Sequence, residues 1–182
     1  MNAKTLILAI LNFQESTGYE IRKNCTDGAF SYFGDISYGS IYPTLAKLEV
    51  ELLVTSRMEQ DPGKPERKIY SLTELGRGEF IKALAHPPAK DKFKSEFLLI
   101  AMTAETNTPE AVKHAIDLRI ADIEAELAMI KEHTTDCDHA GTCWVGEYGI
   151  SIKQFDLEYL KKKRGELQAI AGTALTMKSA AE

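Results

Sequence analysis

Cysteine, tryptophan and proline are scarce in this chain, which has three Cys, one Trp and six Pro among 182 residues. Three cysteines are too few and too unevenly placed for a disulfide framework, so a reducing cytoplasm is the expected compartment. Long apolar runs are also missing. The opening stretch MNAKTLILAILNFQ has one cation ahead of a short apolar run. It lacks a cleavage-site pattern and falls short of the ~20 apolar residues that cross a bilayer, so neither a signal peptide nor a membrane span is expected. There is no excess of positive charge: 22 Lys+Arg stand against 27 Asp+Glu, for a net charge of −5. Residues 1–86 carry −1 and residues 87–182 carry −4. Neither half is a basic domain, so a DNA partner would have to be met by local charge, with a modest salt dependence. The chain also has no glycine-rich phosphate loop, no nucleophile motif with a spaced base and no evident acid pair, which argues against an enzyme.

The apolar residues it does have are well patterned. Leu6, Ile7, Ile10 and Leu11 repeat at helical spacing, and STGYEIRKNC restarts a helix after a Ser/Thr/Gly break. In ISYGSIYPTLAKLEVELLV, from Ile36 to Val54, a third helix is predicted with Ile41, Leu45, Leu48 and Leu52 on one stripe. Ser37 is the expected N-cap, and Pro43 is tolerated because a first helical turn leaves its N–H without an intrahelical partner anyway. Two β-leaning runs, Leu53 to Met58 and Lys68 to Leu72, flank the turn-rich QDPGKPE and predict a hairpin with a longer loop. LTELGRGEFIKALA returns to helix with Thr73 as cap, and HPPAK breaks it.

Three helices, a hairpin and a helix make a winged helix-turn-helix, in which the third helix enters the DNA major groove by its N-terminal end. One side of that helix must pack on the core while its first turn stays lean. Gly39 and Ser40 leave room for close approach, and N–H groups at a helix start favour a phosphate. Tyr38, Ser40, Tyr42, Thr44 and Lys47 lie off the leucine stripe and can face DNA, although Tyr38 and Tyr42 read equally well as packed aromatics.

GYEI (Gly18 to Ile21), SYGSIYPTLAKLE (Ser37 to Glu49) and GKPERKIYSLTELG (Gly63 to Gly76) resemble the PadR family of bacterial transcriptional regulators in order and spacing. The resemblance covers most of the first 86 residues. It implies a homodimeric winged-helix repressor on double-stranded operator DNA, with one recognition helix and one wing per half-site. The candidate DNA-binding set is then Tyr19, Ser37, Tyr38, Gly39, Ser40, Tyr42, Pro43, Thr44 and Lys47, with Lys64, Arg67 and Lys68 in the wing. The chain departs from the family by carrying Leu52 where members usually have a glycine, so the helix either runs on or turns differently there.

Residues 87–107 resemble the family's connector, with FKSEFLLIAMTA as a short apolar helix. Residues 108–182 are expected to form a helical dimerisation and effector region. Pro109 starts a long helix with Val112, Ile116, Ile120, Ile123, Leu127 and Ile130 in one stripe, and a further helix is expected near Glu147, with Tyr148, Ile152, Phe155 and Tyr159 repeating the pattern. Neither hides its stripe alone, so pairing with each other and with a second subunit is predicted. The run KKKR at Lys161 to Arg164 reads first as a solvated charged face. The family's effectors are often phenolic acids, and Trp144, Tyr148 and Phe155 could line a pocket for one or belong to the dimer core. No cofactor is expected. HTTDCDHAGTCW places His133, Asp136, Cys137, His139 and Cys143 close together. His133, Cys137, His139 and Cys143 could close a zinc site, the two cysteines could form a reversible disulfide, or the segment could be a polar loop. Besides a repressor, two other classes stay open: a metal- or redox-responsive regulator using that loop, and a helical interaction protein without DNA binding.

Overall fold

The structure, a computed structural model, describes residues 1–174 apart from Asp27, Asp35, Asp61, Lys64 and Asp136. The chain divides between Asp91 and Lys92 into two compact units. The first is a winged helix and the second is helical, so the fold is mainly α with a small antiparallel sheet. Among the described residues no helix is long and apolar enough to cross a membrane.

In the first unit, α1 (Ala3–Phe13) is capped by Asn2, whose side chain accepts from the Thr5 amide at 2.9 Å. β1 (Ser16–Thr17) leads directly into α2 (Gly18–Thr26). Thr17 and Glu20 form a reciprocal cap there: Glu20 accepts from the Thr17 amide and hydroxyl at 2.8 Å, and the Thr17 hydroxyl accepts from the Glu20 amide at 3.2 Å. Those bonds hold the Glu20 carboxyl below the usual carboxylate range. A 3-10 turn, Tyr38–Ser40, runs into α3 (Ile41–Val50), and β2 (Val54–Glu59), β3 (Arg67–Leu72) and α4 (Glu74–Leu84) follow. The expected hairpin is β2–β3, with Val54 opposite Leu72 and Glu59 opposite Arg67. The Ser/Thr break contributes a third strand, since β1 pairs with β3 through Ser16–Tyr70 and Thr17–Ile69. Thr73 caps α4 as expected, accepting from Gly76 at 2.9 Å.

Leu6, Ile7, Leu8, Ile10 and Leu11 of α1, Ile21 and Cys25 of α2, and Ile41, Leu45 and Leu48 of α3 form one core with Leu53, Val54 and Tyr70. Burying each large aliphatic side chain there contributes about 1.5–3 kcal/mol. Burial pushes the Cys25 thiol up to about 11, so it serves as a small apolar residue.

Leu52 corrects the expected stripe. α3 stops at Val50, and Leu52 is 68% exposed with φ 57°. The Leu53 amide donates to the Leu48 carbonyl at 2.9 Å and the Leu52 amide to Glu49 at 3.1 Å. That is a Schellman ending with leucine in the left-handed position that glycine normally takes. The buried pair Leu48 and Leu53 holds the chain in this turn.

The second unit contains α5 (Glu96–Met102), α6 (Pro109–Thr134) and α7 (Ala140–Ile170). Thr108 caps α6 by accepting from Ala111 at 3.2 Å, with Pro109 in the first turn. Val112, Ile116, Ile123 and Leu127 are buried as the stripe requires, with Ile120 and Ile130 half-buried. Ion pairs tie α6 to α7: Glu126–Lys153, Glu124–Lys161 at 2.6 Å and Asp117–Arg164 at 2.5 Å. Lys163 pairs with Glu166 along α7. Three of the four cations in the KKKR run therefore have carboxylate partners.

α7 begins seven residues before Glu147, so Cys143 and Trp144 are helical rather than part of a loop. Gly141 and Gly146 weaken the intrinsic helix preference, and tertiary contact overrides it. A Cβ on Gly146 would lie 2.3 Å from the Thr134 hydroxyl oxygen, so α7 crosses the end of α6 too closely for any side chain there.

Candidate nucleic-acid interface

The apolar side of α3 is spent on the core, which decides what its other side can do. Ile41 and Leu45 are fully buried, whereas Tyr42 and Tyr38 remain 47% and 60% exposed. Ser37, Gly39, Pro43 and Lys47 are exposed as well, and Ser40 and Thr44 half-buried. These residues and Tyr19, at the start of α2, stand at the entry of one helix.

Local bonds already occupy part of this set. The Ser37 side chain makes no cap, contrary to expectation. Its carbonyl instead accepts from the Ser40 amide at 3.0 Å and hydroxyl at 2.7 Å, because a 3-10 turn rather than the α-helix starts here. The Thr44 hydroxyl donates to the Ser40 carbonyl at 2.6 Å. Pro43 falls in the first turn of α3, where it removes no helical bond. Gly39 has no positive φ, and a Cβ there would meet nothing within 4 Å. Neither the backbone nor packing among the described residues demands glycine at that position. Gly18 differs, since a Cβ there would lie 2.8 Å from the Tyr42 ring.

The expected cations among the described residues are paired. Lys47 lies 3.8 Å from Glu51, Arg67 bonds Glu59 at 2.6 and 3.0 Å, and Lys68 bonds Glu49 at 2.8 Å. The Lys68 ammonium and the Ser56 hydroxyl hold the Glu49 carboxyl below its ordinary range. The same bond raises Lys68. It also ties the start of β3 to the exposed flank of α3, so the wing and α3 share one surface. Pairs this exposed contribute little to stability. Lys64 lies outside the described residues.

One cation in this region was not legible from spacing. Arg22 of α2 lies over the rings of Tyr19, at 4.8 Å, and Tyr38, at 4.5 Å, and donates to the Tyr38 hydroxyl. Among the described residues no carboxylate pairs with it.

The other candidate sites take a different form. Cys137 and Cys143 are joined by a disulfide with Cα atoms 5.7 Å apart. Bonded sulfurs are not thiolate donors, so the four-ligand zinc set is not assembled in this state. Among the described residues no group of three His, Cys, Asp or Glu side chains could hold a metal. His133 instead bonds the Met129 carbonyl through Nδ1 at 2.8 Å. His139 precedes α7 without capping it, and Asp136 is outside the described residues. Trp144 and Tyr148 stack at 5.5 Å but are 65% and 57% exposed, and Phe155 is 69% exposed. Within one chain these three rings line a helix face, not an enclosed pocket.

A three-helix core, a hairpin wing tied to the exposed side of α3, and a lean helix entry define a winged-helix protein. Residues 7–82 match the family described as "Transcriptional regulator PadR-like family". The PadR-like regulator BC1756 of Bacillus cereus is 29% identical, with 92% of this chain and 99% of that one covered and a TM-score of 0.75. The negative transcriptional regulator PadR of Bacillus subtilis (strain 168) is 34% identical over 99 residues, 54% of each chain. Crystal structures of Bacillus subtilis PadR with operator DNA and with p-coumaric acid share the fold at 22% identity, with TM-scores of 0.72 and 0.65; they cover 90% of this chain and 98% and 97% of theirs. The chain is similar to PadR-like transcriptional regulators, in sequence through residues 7–82 and in fold over most of its length. Its match spans about half the length, or less, of the curated relatives.

Proposed function

We propose that this protein is a homodimeric transcriptional repressor that binds double-stranded operator DNA through α3 and the wing and is released by a small aromatic acid. The observation that carries this reading is the division of α3, with Ile41, Leu45 and Leu48 buried and Tyr38, Gly39, Tyr42 and Lys47 exposed. The glycine at 39 suits a close-approaching partner, since nothing among the described residues requires it. Phosphates would exchange with Glu51, Glu59 and Glu49 as partners of Lys47, Arg67 and Lys68. Such exchange is inexpensive because the exposed pairs are weak. Each phosphate contact steepens the salt dependence by about one unit.

Dimerisation and response belong, on this reading, to residues 92–182, with residues 1–91 as the DNA-binding part. α7 has no fully buried residue and exposes Trp144, Tyr148, Ile152, Phe155 and Tyr159 at spacings of four and three. A second subunit would cover that stripe, and an aromatic acid would lodge between the covered rings. The assignment is tested with the full chain and duplex DNA from upstream of its own coding region. Saturable binding that prefers this duplex over a scrambled one, and that weakens with Tyr42→Ala, is expected. Equal affinity for both duplexes would contradict a specific operator, and binding to neither would favour the interaction-protein reading.

The Cys137–Cys143 disulfide supports a second reading, in which the oxidation state of the α6–α7 turn tunes DNA affinity.

A further inference from the structure

We infer that Arg22 is a phosphate-binding residue of this interface, held in place by Tyr19 and Tyr38; this rests on the DNA-binding reading above. A guanidinium is planar, and here an aromatic ring lies within 5 Å on each of two contacts, at 4.8 Å for Tyr19 and 4.5 Å for Tyr38. Two rings this close confine the guanidinium while its planar fork keeps several N–H donors. One of its five donors goes to the Tyr38 hydroxyl, leaving four.

The charge balance singles out the same residue. Lys47, Arg67 and Lys68 each have a carboxylate within 4 Å. Arg22 has none among the described residues. Its half-buried position beside two exposed tyrosines fixes the side chain before any partner arrives. A fixed fork of donors loses little conformational entropy on binding, and a planar fork suits a phosphate.

The helix that carries it points the same way. In a helix-turn-helix the helix before the recognition helix crosses the sugar-phosphate backbone, and α2 is that helix here. Tyr38 belongs to the turn that opens α3, so the contacts of Arg22 with Tyr19 and Tyr38 join α2 to the start of α3.

The test measures affinity for the upstream duplex and for a scrambled duplex across a salt series, using the full chain. Arg22→Gln removes the charge but keeps a planar group able to donate to Tyr38. It is expected to weaken both duplexes by the same factor, about eightfold at 0.1 M salt, and to reduce the salt slope by about one unit. Arg22→Lys keeps the charge and is expected to keep the slope while losing affinity. An unchanged slope in Arg22→Gln would overturn the inference, leaving Arg22 as a brace for Tyr38. A change in sequence preference at constant slope would overturn it as well. Failure of the wild-type chain to bind either duplex would instead remove the DNA-binding reading and this inference together.

Discussion

A Cβ placed on Gly18 would lie 2.8 Å from Cε1 of Tyr42, so the first residue of α2 sets the position of an exposed ring on α3. The atom in the way is the far end of a side chain that is 47% exposed and free to turn outward. Gly18→Ala is therefore expected to change stability by less than about 1 kcal/mol, while lowering DNA affinity by displacing Tyr42. Thermal denaturation and duplex binding on the same preparation check both halves.

Gly76 gives the opposite outcome. A Cβ there would stand 2.0 Å from the Leu53 carbonyl oxygen, which also accepts from Thr73 at 3.0 Å and cannot move aside alone. Gly76→Ala is expected to destabilise the N-terminal unit by about 3 kcal/mol or more, as overpacking against backbone does. Denaturant midpoints of the variant and wild type measure it.

At Leu52 a substitution should stabilise. The side chain is exposed, so little burial is lost, and φ of 57° strains any residue with a Cβ. Leu52→Gly relieves roughly 1–2 kcal/mol of left-handed strain and gives part of it back as unfolded-state entropy. A net gain of about 0.5–1 kcal/mol is expected in equilibrium unfolding.

These three positions show how far the fold was legible in the sequence. The stripes of α1, α3 and α6 and the turn chemistry of the wing were readable because burial imposes a helical or alternating period. The end of α3 was not, because Leu52 continues the apolar spacing while the Leu48–Leu53 pair takes the buried place instead. A strand of two residues such as β1 has no period to detect. The start of α7 was hidden by Gly141 and Gly146, which lower the local helix preference, and of the two only Gly146 packs against α6, at Thr134. Arg22 was missed for a related reason. Its partner Tyr38 is sixteen residues away, and a lone arginine on a short helix has no spacing signal.

The thiols are expected to separate cleanly. Cys25 is buried with its thiol raised to about 11, and Cys137 and Cys143 are bonded to each other. Without reductant, native protein should react with essentially no thiol reagent, and denatured protein with one equivalent per chain. Reduction should lower the stability of the helical unit by about 2 kcal/mol, the loop-closure entropy expected for so short a loop. Unfolding followed with and without reductant measures that difference.

Hydroxyl-radical footprinting of the full chain on its own upstream DNA decides most directly whether this is a dimeric winged-helix regulator. Two protected segments related by a two-fold axis, with centres one helical turn of about 10 base pairs apart or a multiple of it, are expected, and Tyr42→Ala should abolish both together. A single protected segment, or protection spread without symmetry along the duplex, would contradict a homodimer reading two half-sites through α3.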